Sequence, residues 1–219
     1  MSKDFLTIAL PKGRIQKELL PLLEAAGIRP EKSFYDDAER QLQFGTNLPH
    51  VHLIRVRSFD VATFVAFGAA QIGVAGSDVL TEFDYADIYA PLDLGIGRCR
   101  LSLARPVDMD ESEKLERASH LRVATKYPSV TARWFSERGI QAECIRLSGA
   151  MELAPALGLA PYIVDLVSSG QTLRANGLVE VAKITDVSSR LIVHRPAYKT
   201  RSGEISEWMA RFSEVRSQG

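Results

Sequence analysis

The chain alternates short apolar runs of strand length with segments whose apolar residues recur at helical spacing, and this alternation limits the possible folds more than any other feature. It is the signature of an α/β protein. Leu6 to Leu10 reads as a strand; beyond the turn Pro11 to Arg14, Ile15, Leu19, Leu22, Leu23 and Ala26 mark a helix that Gly27 stops. Pro21 lies inside that segment and counts against its continuity. The same change of period recurs as strand 51–57, helix 60–70 and strand 72–75, with Ser77 and Asp78 as the N-cap of a further helix. A strand opens at Arg98, and the charged stretch 107–119 reads as helix or loop. Then come strand 121–125, helix 129–138 closed by Gly139, strand 142–147, helix 149–157, strand 161–167 and a helix from Thr172 to Ala175. Strands 178–184 and 189–194 and an amphipathic helix 204–216 complete the chain. The expected architecture is α/β with mostly parallel sheets.

At 219 residues the chain has room for one large or two small domains. No composition break or low-complexity linker divides it, so two lobes tied by crossing strands are expected, with a cleft between them as the default ligand site. Lobe I is assigned to 1–97 plus 185–219 and lobe II to 98–184. The 46% hydrophobic and 25% charged residues exclude a disordered or fibrous protein. Lys and Arg total 27 against 27 Asp and Glu, so no global basic field exists to hold a nucleic acid, and any anion site must be local. The apolar run near Met1 is too short for a signal or a membrane span, which predicts a soluble, cytoplasmic protein.

Several chemistries lack support. Cys99 and Cys144 have no metal or redox spacing and read as free thiols, Cys144 in a strand core. His50, His52, His120 and His194 are dispersed, which argues against zinc. No nucleophile elbow, dinucleotide fingerprint or P-loop occurs. Trp134 and Trp208 read as helix packing residues.

The most informative segment is Ile163 to Leu173, where an apolar strand runs into Ser168, Ser169, Gly170, Gln171 and Thr172 and then a helix. Such a turn offers backbone N–H groups, the positive end of a helix dipole and hydroxyl donors to a phosphate. It also suits an ordinary capped loop. Asp165, at the strand end, suits sugar hydroxyls or Mg²⁺. A second cluster, Lys12, Gly13 and Arg14, follows the first strand, at the end where parallel sheets bind ligands. Arg55 and Arg57 share one strand face, with Arg57 nearer the end; Arg98 and Arg100 share another, and Lys126 and Tyr127 end a third strand. Singly each cation reads as surface charge; together they suggest a compact site for a small, highly anionic molecule.

These segments are similar to one family. Leu6 to Arg14, Asp60 to Ala62, Ala69 to Asp78, Asp93 to Arg100, Ala124 to Pro128, Leu147 to Gly177 and Arg190 to Val193 together resemble ATP phosphoribosyltransferase, the first enzyme of histidine biosynthesis. The resemblance implies a two-lobed fold like type II periplasmic binding proteins. It implies attack of adenine N1 of ATP on the anomeric carbon of phosphoribosyl pyrophosphate (PRPP), with release of pyrophosphate and no covalent nucleophile. It places the PRPP site on Glu152, Asp165, Ser168, Ser169, Gly170, Gln171 and Thr172, with Ser169 and Gln171 standing where relatives often carry other residues. Lys12, Arg14, Arg57 and Arg100 would serve the phosphates of ATP or pyrophosphate, and Mg²⁺ would arrive on substrate phosphates rather than on a protein cluster. The chain looks like the short form, without a C-terminal regulatory domain. Short-form chains act with a regulatory subunit resembling histidyl-tRNA synthetase, which implies a hetero-octamer.

Two other readings compete. A solute receptor or regulator effector domain of the same fold would be a binding module, though neither a signal segment nor a DNA-binding segment is visible. A nucleobase phosphoribosyltransferase has a similar loop but usually carries paired acidic residues before it, where this chain has Ile163 and Val164.

Overall fold

In a computed structural model, residues 5–36, 38–109 and 119–218 are described, and most of the charged stretch 107–119 lies outside them. The described residues form two compact units, one of residues 1–97 and 188–219 and one of residues 98–187.

The first unit is built on a six-stranded sheet in the order β2-β3-β1-β4-β11-β5. Its centre is parallel: β1 (Leu6–Pro11) lies between β3 (Val51–Val56) and β4 (Ile72–Gly76). Its flanks are antiparallel: β2 (Gln43–Phe44) pairs with β3, and β11 (Ser189–His194) lies between β4 and β5 (Ile88–Asp93). Strand alternation sends the side chains of β1 to two cores. Leu6, Ile8 and Leu10 join Leu19 and Leu23 of α1 (Arg14–Ala25) and Ile205, Trp208 and Phe212 of α8 (Ser202–Gln218). Ala9 faces the other way, towards Val61 and Val65 of α2 (Ser58–Ala66). A sheet covered on both faces needs apolar residues at successive positions, which is why β1 and β4 read as unbroken runs. Pro21 sits inside α1, exposed, and the helix continues through it.

The second unit holds a five-stranded sheet in the order β10-β6-β9-β7-β8. Here β9 (Tyr162–Val167), β7 (His120–Thr125) and β8 (Gln141–Arg146) are parallel neighbours. β6 (Cys99–Pro106) and β10 (Leu178–Val187) add an antiparallel edge. One face packs on α5 (Leu153–Ala156) and α6 (Gln171–Ala175) through Ala154, Ile163, Val167 and Leu173. α4 (Pro128–Ser136) buries Val130, Thr131, Trp134 and Phe135 and packs on β8.

Several expectations are refined. Parallel pairing joins β3, β1 and β4 in the first sheet and β9, β7 and β8 in the second, so both sheets are mixed rather than mostly parallel. The helix expected over 149–157 is a single turn, because Ala150 adopts φ 53° and Gly158 φ 68° on either side of it. β10 runs on to Val187, beyond the expected end at 184. No strand was expected over β5; it is an edge strand, where the missing N–H of Pro91 is tolerated. The short α7 (Arg195–Thr200) and α3 (Ser77–Phe83) complete the helices, and the N-cap of α3 is Gly76, one residue before the expected Ser77. Trp208 is buried in α8, and Cys99 and Cys144, not joined in a disulfide, are each half-buried in their strands.

Candidate functional site

Both units gather the residues singled out from the sequence at the carboxyl ends of their parallel strands. In the first unit, Lys12 follows β1 and Arg57 follows β3, and these two strands pair in register up to Pro11 and Val56. The Lys12 N–H donates to the Val56 carbonyl at 2.8 Å, so the two cations leave the sheet side by side. Both are exposed. Gly13, at φ 95°, turns the chain into α1, whose first residue is Arg14; no side chain caps this helix, nor α2 behind Arg57, nor α3 behind Gly76. Three helix starts and two exposed cations thus border one sheet edge, an arrangement that favours anions. Arg14 is turned partly to its own helix, 3.4 Å from Glu18.

Arg55 belongs elsewhere. Expected alongside Arg57, it is 3% exposed and donates to the carbonyls of Phe34 at 3.2 Å and Glu39 at 2.9 Å. Its guanidinium lies 4.8 Å from the Phe44 ring centroid. It pins the 34–39 segment to the sheet. Arg57 lies one residue beyond the strand, as the N-cap of α2.

In the second unit, β7, β8 and β9 end in the loops that carry the other candidates. β9 leads into Ser168 and Ser169, both exposed, and into Gly170, which takes φ 73° as the N-cap of α6. Gln171 and Thr172 form the first turn and are exposed; the Gln171 N–H donates weakly to Ser169 Oγ at 3.4 Å. Asp165 is not at the strand end but inside β9, half-buried, accepting from the Leu166 N–H at 2.8 Å. Glu152 is half-buried at the N-cap of α5, beyond the end of β8. Thr125, buried at the end of β7, donates to the Val164 carbonyl at 2.9 Å and accepts from the Tyr127 N–H, which ties the 125–128 turn to β9.

Arg100 lies with this loop and not with Lys12, Arg14 and Arg57, which belong to the first unit. It stands in register with Val167 on β9. Its Nε and Nη2 donate to the two carboxylate oxygens of Glu180 at 2.6 and 2.5 Å, and Nη1 donates to the Ser168 carbonyl at 3.0 Å. Ser102 Oγ donates to the same carboxylate at 2.7 Å. The Arg100 hydrogen bonds hold the Glu180 carboxyl below the usual carboxylate range despite its burial, with Ser102 adding to the effect. Sequence reasoning missed Glu180. Its only sequence signal is an acid in an otherwise apolar strand, Leu178 to Ala182, and the Arg–Glu pair spans 80 residues.

A cavity of about 890 Å³ in the first unit opens at the opposite edge of its sheet, lined among others by Phe5, Thr7, His52, Gln71 and His194. None of the candidate phosphate- or sugar-binding residues lines it, though His52 and His194 do. Among the described residues no three His, Cys, Asp or Glu side chains assemble a metal-binding cluster. No helix there is long and apolar enough to cross a membrane.

Comparison with known proteins gives consistent matches. A family model described as HisG: ATP phosphoribosyltransferase matches residues 57–214. The ATP phosphoribosyltransferase of Paramagnetospirillum magneticum is 64% identical over 213 residues, covering 97% of each chain. Among solved structures, the ATP phosphoribosyl transferase (HisG:HisZ) complex from Thermotoga maritima aligns with a TM-score of 0.83 at 29% identity, over 98% of this chain and 100% of that one. The periplasmic VFT2 domain of Bordetella pertussis BvgS aligns with a TM-score of 0.59 at 14% identity, over 98% and 93% of the two chains, a likeness of fold alone. Those likenesses agree with the two-unit α/β architecture expected from the sequence. With the family match covering well over half of the chain and a relative of that identity along nearly all of it, the chain belongs to the ATP phosphoribosyltransferase family, phosphoribosyl-transferring enzymes of histidine biosynthesis.

Proposed function

We propose that this chain is the catalytic subunit of a short-form ATP phosphoribosyltransferase, joining the phosphoribosyl group of PRPP to N1 of ATP and acting in the cytoplasm with a regulatory protein. The observation that carries this reading is the likeness to ATP phosphoribosyltransferases along almost the whole chain. The solved relative is a HisG:HisZ complex, which supports a second protein as partner; a hetero-octamer is the assembly we propose.

In the reaction the lone pair of adenine N1 forms a bond to the anomeric carbon while the carbon–oxygen bond to pyrophosphate breaks. Positive charge builds on the ribose, so the protein must hold two polyanions in line and stabilise the departing one. The backbone and hydroxyls of Ser168, Ser169, Gly170, Gln171 and Thr172 grip the 5-phosphate, and Glu152 and Asp165 orient the ribose hydroxyls. Lys12, Arg14 and Arg57 serve the phosphates of ATP or pyrophosphate. Arg100 spends three of its five N–H groups on Glu180 and Ser168, which leaves two for a phosphate. Mg²⁺ enters as part of the substrate, on phosphate oxygens, and supplies neutralising charge there.

The test is the rise in ultraviolet absorbance on formation of phosphoribosyl-ATP from ATP, PRPP and Mg²⁺, with and without the candidate regulatory protein. Product establishes the transferase, and a change of rate on adding the partner establishes the short form. No product in either case, with the partner associating and neither ligand binding, would leave a binding module.

A further inference from the structure

We propose that Glu180 is a positioning residue for phosphoribosyl transfer: by clamping Arg100 across the β6–β10 edge, it fixes the Ser168 carbonyl and so presets the loop that receives the 5-phosphate. This rests on the assignment of residues 168–172 to PRPP made above. Arg100, Ser102 and Ala104 share one face of β6, and Glu180 lies in register with Ala104. From there its side chain passes Ser102 to reach Arg100.

The fork-to-fork contact uses both carboxylate oxygens and fixes the plane of the guanidinium. With that plane fixed, Nη1 points at the Ser168 carbonyl, two residues before Gly170. Ser168 and Ser169 are exposed, and the described contacts hold the backbone of Ser168 chiefly through this arginine. Without a partner, Arg100 would have the rotamer freedom of an exposed arginine, and the loop would have to be ordered at the moment of binding. Preorganisation lowers that cost. On the same face, β9 brings Asp165, the residue placed at the ribose, into register with Ser102.

The expected signature is selective, because Glu180 reaches Arg100 and Ser102 beside the loop placed at PRPP, whereas Lys12, Arg14 and Arg57 belong to the other unit. In Glu180→Gln the fork loses its charge and one acceptor, and KM for PRPP should rise about tenfold. KM for ATP should stay within about twofold, since any lesser shift is under half a kcal/mol. Calorimetric titration of the full chain with PRPP should show the same loss in affinity. Gly170→Asp, assayed alongside, separates the two readings, since it puts a negative charge and a strained residue into the cradle itself. If Gly170→Asp abolishes PRPP binding and Glu180→Gln weakens it selectively, the positioning role stands. If Gly170→Asp abolishes binding but Glu180→Gln leaves PRPP affinity unchanged, or raises both KM values equally, the role of Glu180 is overturned and the loop assignment survives. If Gly170→Asp binds PRPP normally, the loop assignment falls and this proposal with it. Should Glu180→Gln fail to fold, Glu180→Asp carries the same test, for it keeps the charge but falls one methylene short of the fork.

Discussion

Two arginines separated by one residue show how different the fates of similar side chains are. Arg55 is buried between Phe34 and Phe44 and holds main-chain carbonyls, whereas Arg57 is exposed at a helix start. Replacing Arg55 with Ala strands those carbonyls and empties the space between two rings. Chemical denaturation should show a loss of roughly 2–4 kcal/mol. Arg57→Ala, by contrast, should stay within about 0.5 kcal/mol of the parent in the same experiment. Strand alternation in the sequence assigned both arginines to one face, but Arg57 lies beyond the strand, and the alternation could not show that the segment around Phe34 folds over Arg55. The loop at Ser168 to Thr172 was legible for the opposite reason: strand, small residues, glycine and helix are adjacent in the chain, and Gly170 does take the left-handed conformation such a turn demands.

At the scale of elements, the antiparallel edge β6–β10 and the strand β5 each carry a carboxylate held below its ordinary range. For Glu180 the hydrogen bonds from Arg100 are the main cause and outweigh burial. For Asp93 burial pushes upward, but the Gly95 N–H, the Ser188 hydroxyl and the charge of Arg190 together prevail. A folded-state pKa below the unfolded one means that the stabilisation is complete above the ordinary carboxylate values of about 4 and is lost as pH falls through the lowered values. The denaturation midpoint should therefore drop as pH is taken from about 5 to about 3. In Glu180→Gln that slope should be shallower; an unchanged slope would show that the Arg100 pair contributes nothing to acid stability. Most central strands were readable because β1, β4 and β9 are nearly continuous apolar runs and β3 and β7 keep apolar residues between their His and Arg positions. Edge strands were read unevenly: β8 and β10 were marked by their apolar residues, β10 ending three residues later than expected, whereas β2 and β5 went unread and owe their pairing to their neighbours.

For the molecule as a whole, the path of the chain matters most. The first unit is left at Gly97 and completed only by residues 188–219, which insert β11 between β4 and β5 and lay α8 over β1. Phe212, 1% exposed near the end of the chain, packs in the same core as Leu6 and Ile8 at its beginning. Phe212→Ala should cost about 3–5 kcal/mol, read as a fall in the calorimetric midpoint of the first unit. A change near zero would mean that α8 adds little to that core. Local order of apolar and polar residues determined most strands, most helices, the strand–glycine–helix turn at 168–172 and the family, because each is written within a few neighbouring residues or in a set of short motifs. Only the tertiary structure decided that Arg55 would be buried, that Arg100 would meet Glu180 and Ser168, and that the sheets would be mixed, because those outcomes depend on which strands become neighbours across many residues of chain, and strand pairing is settled by packing of the whole rather than by any one segment.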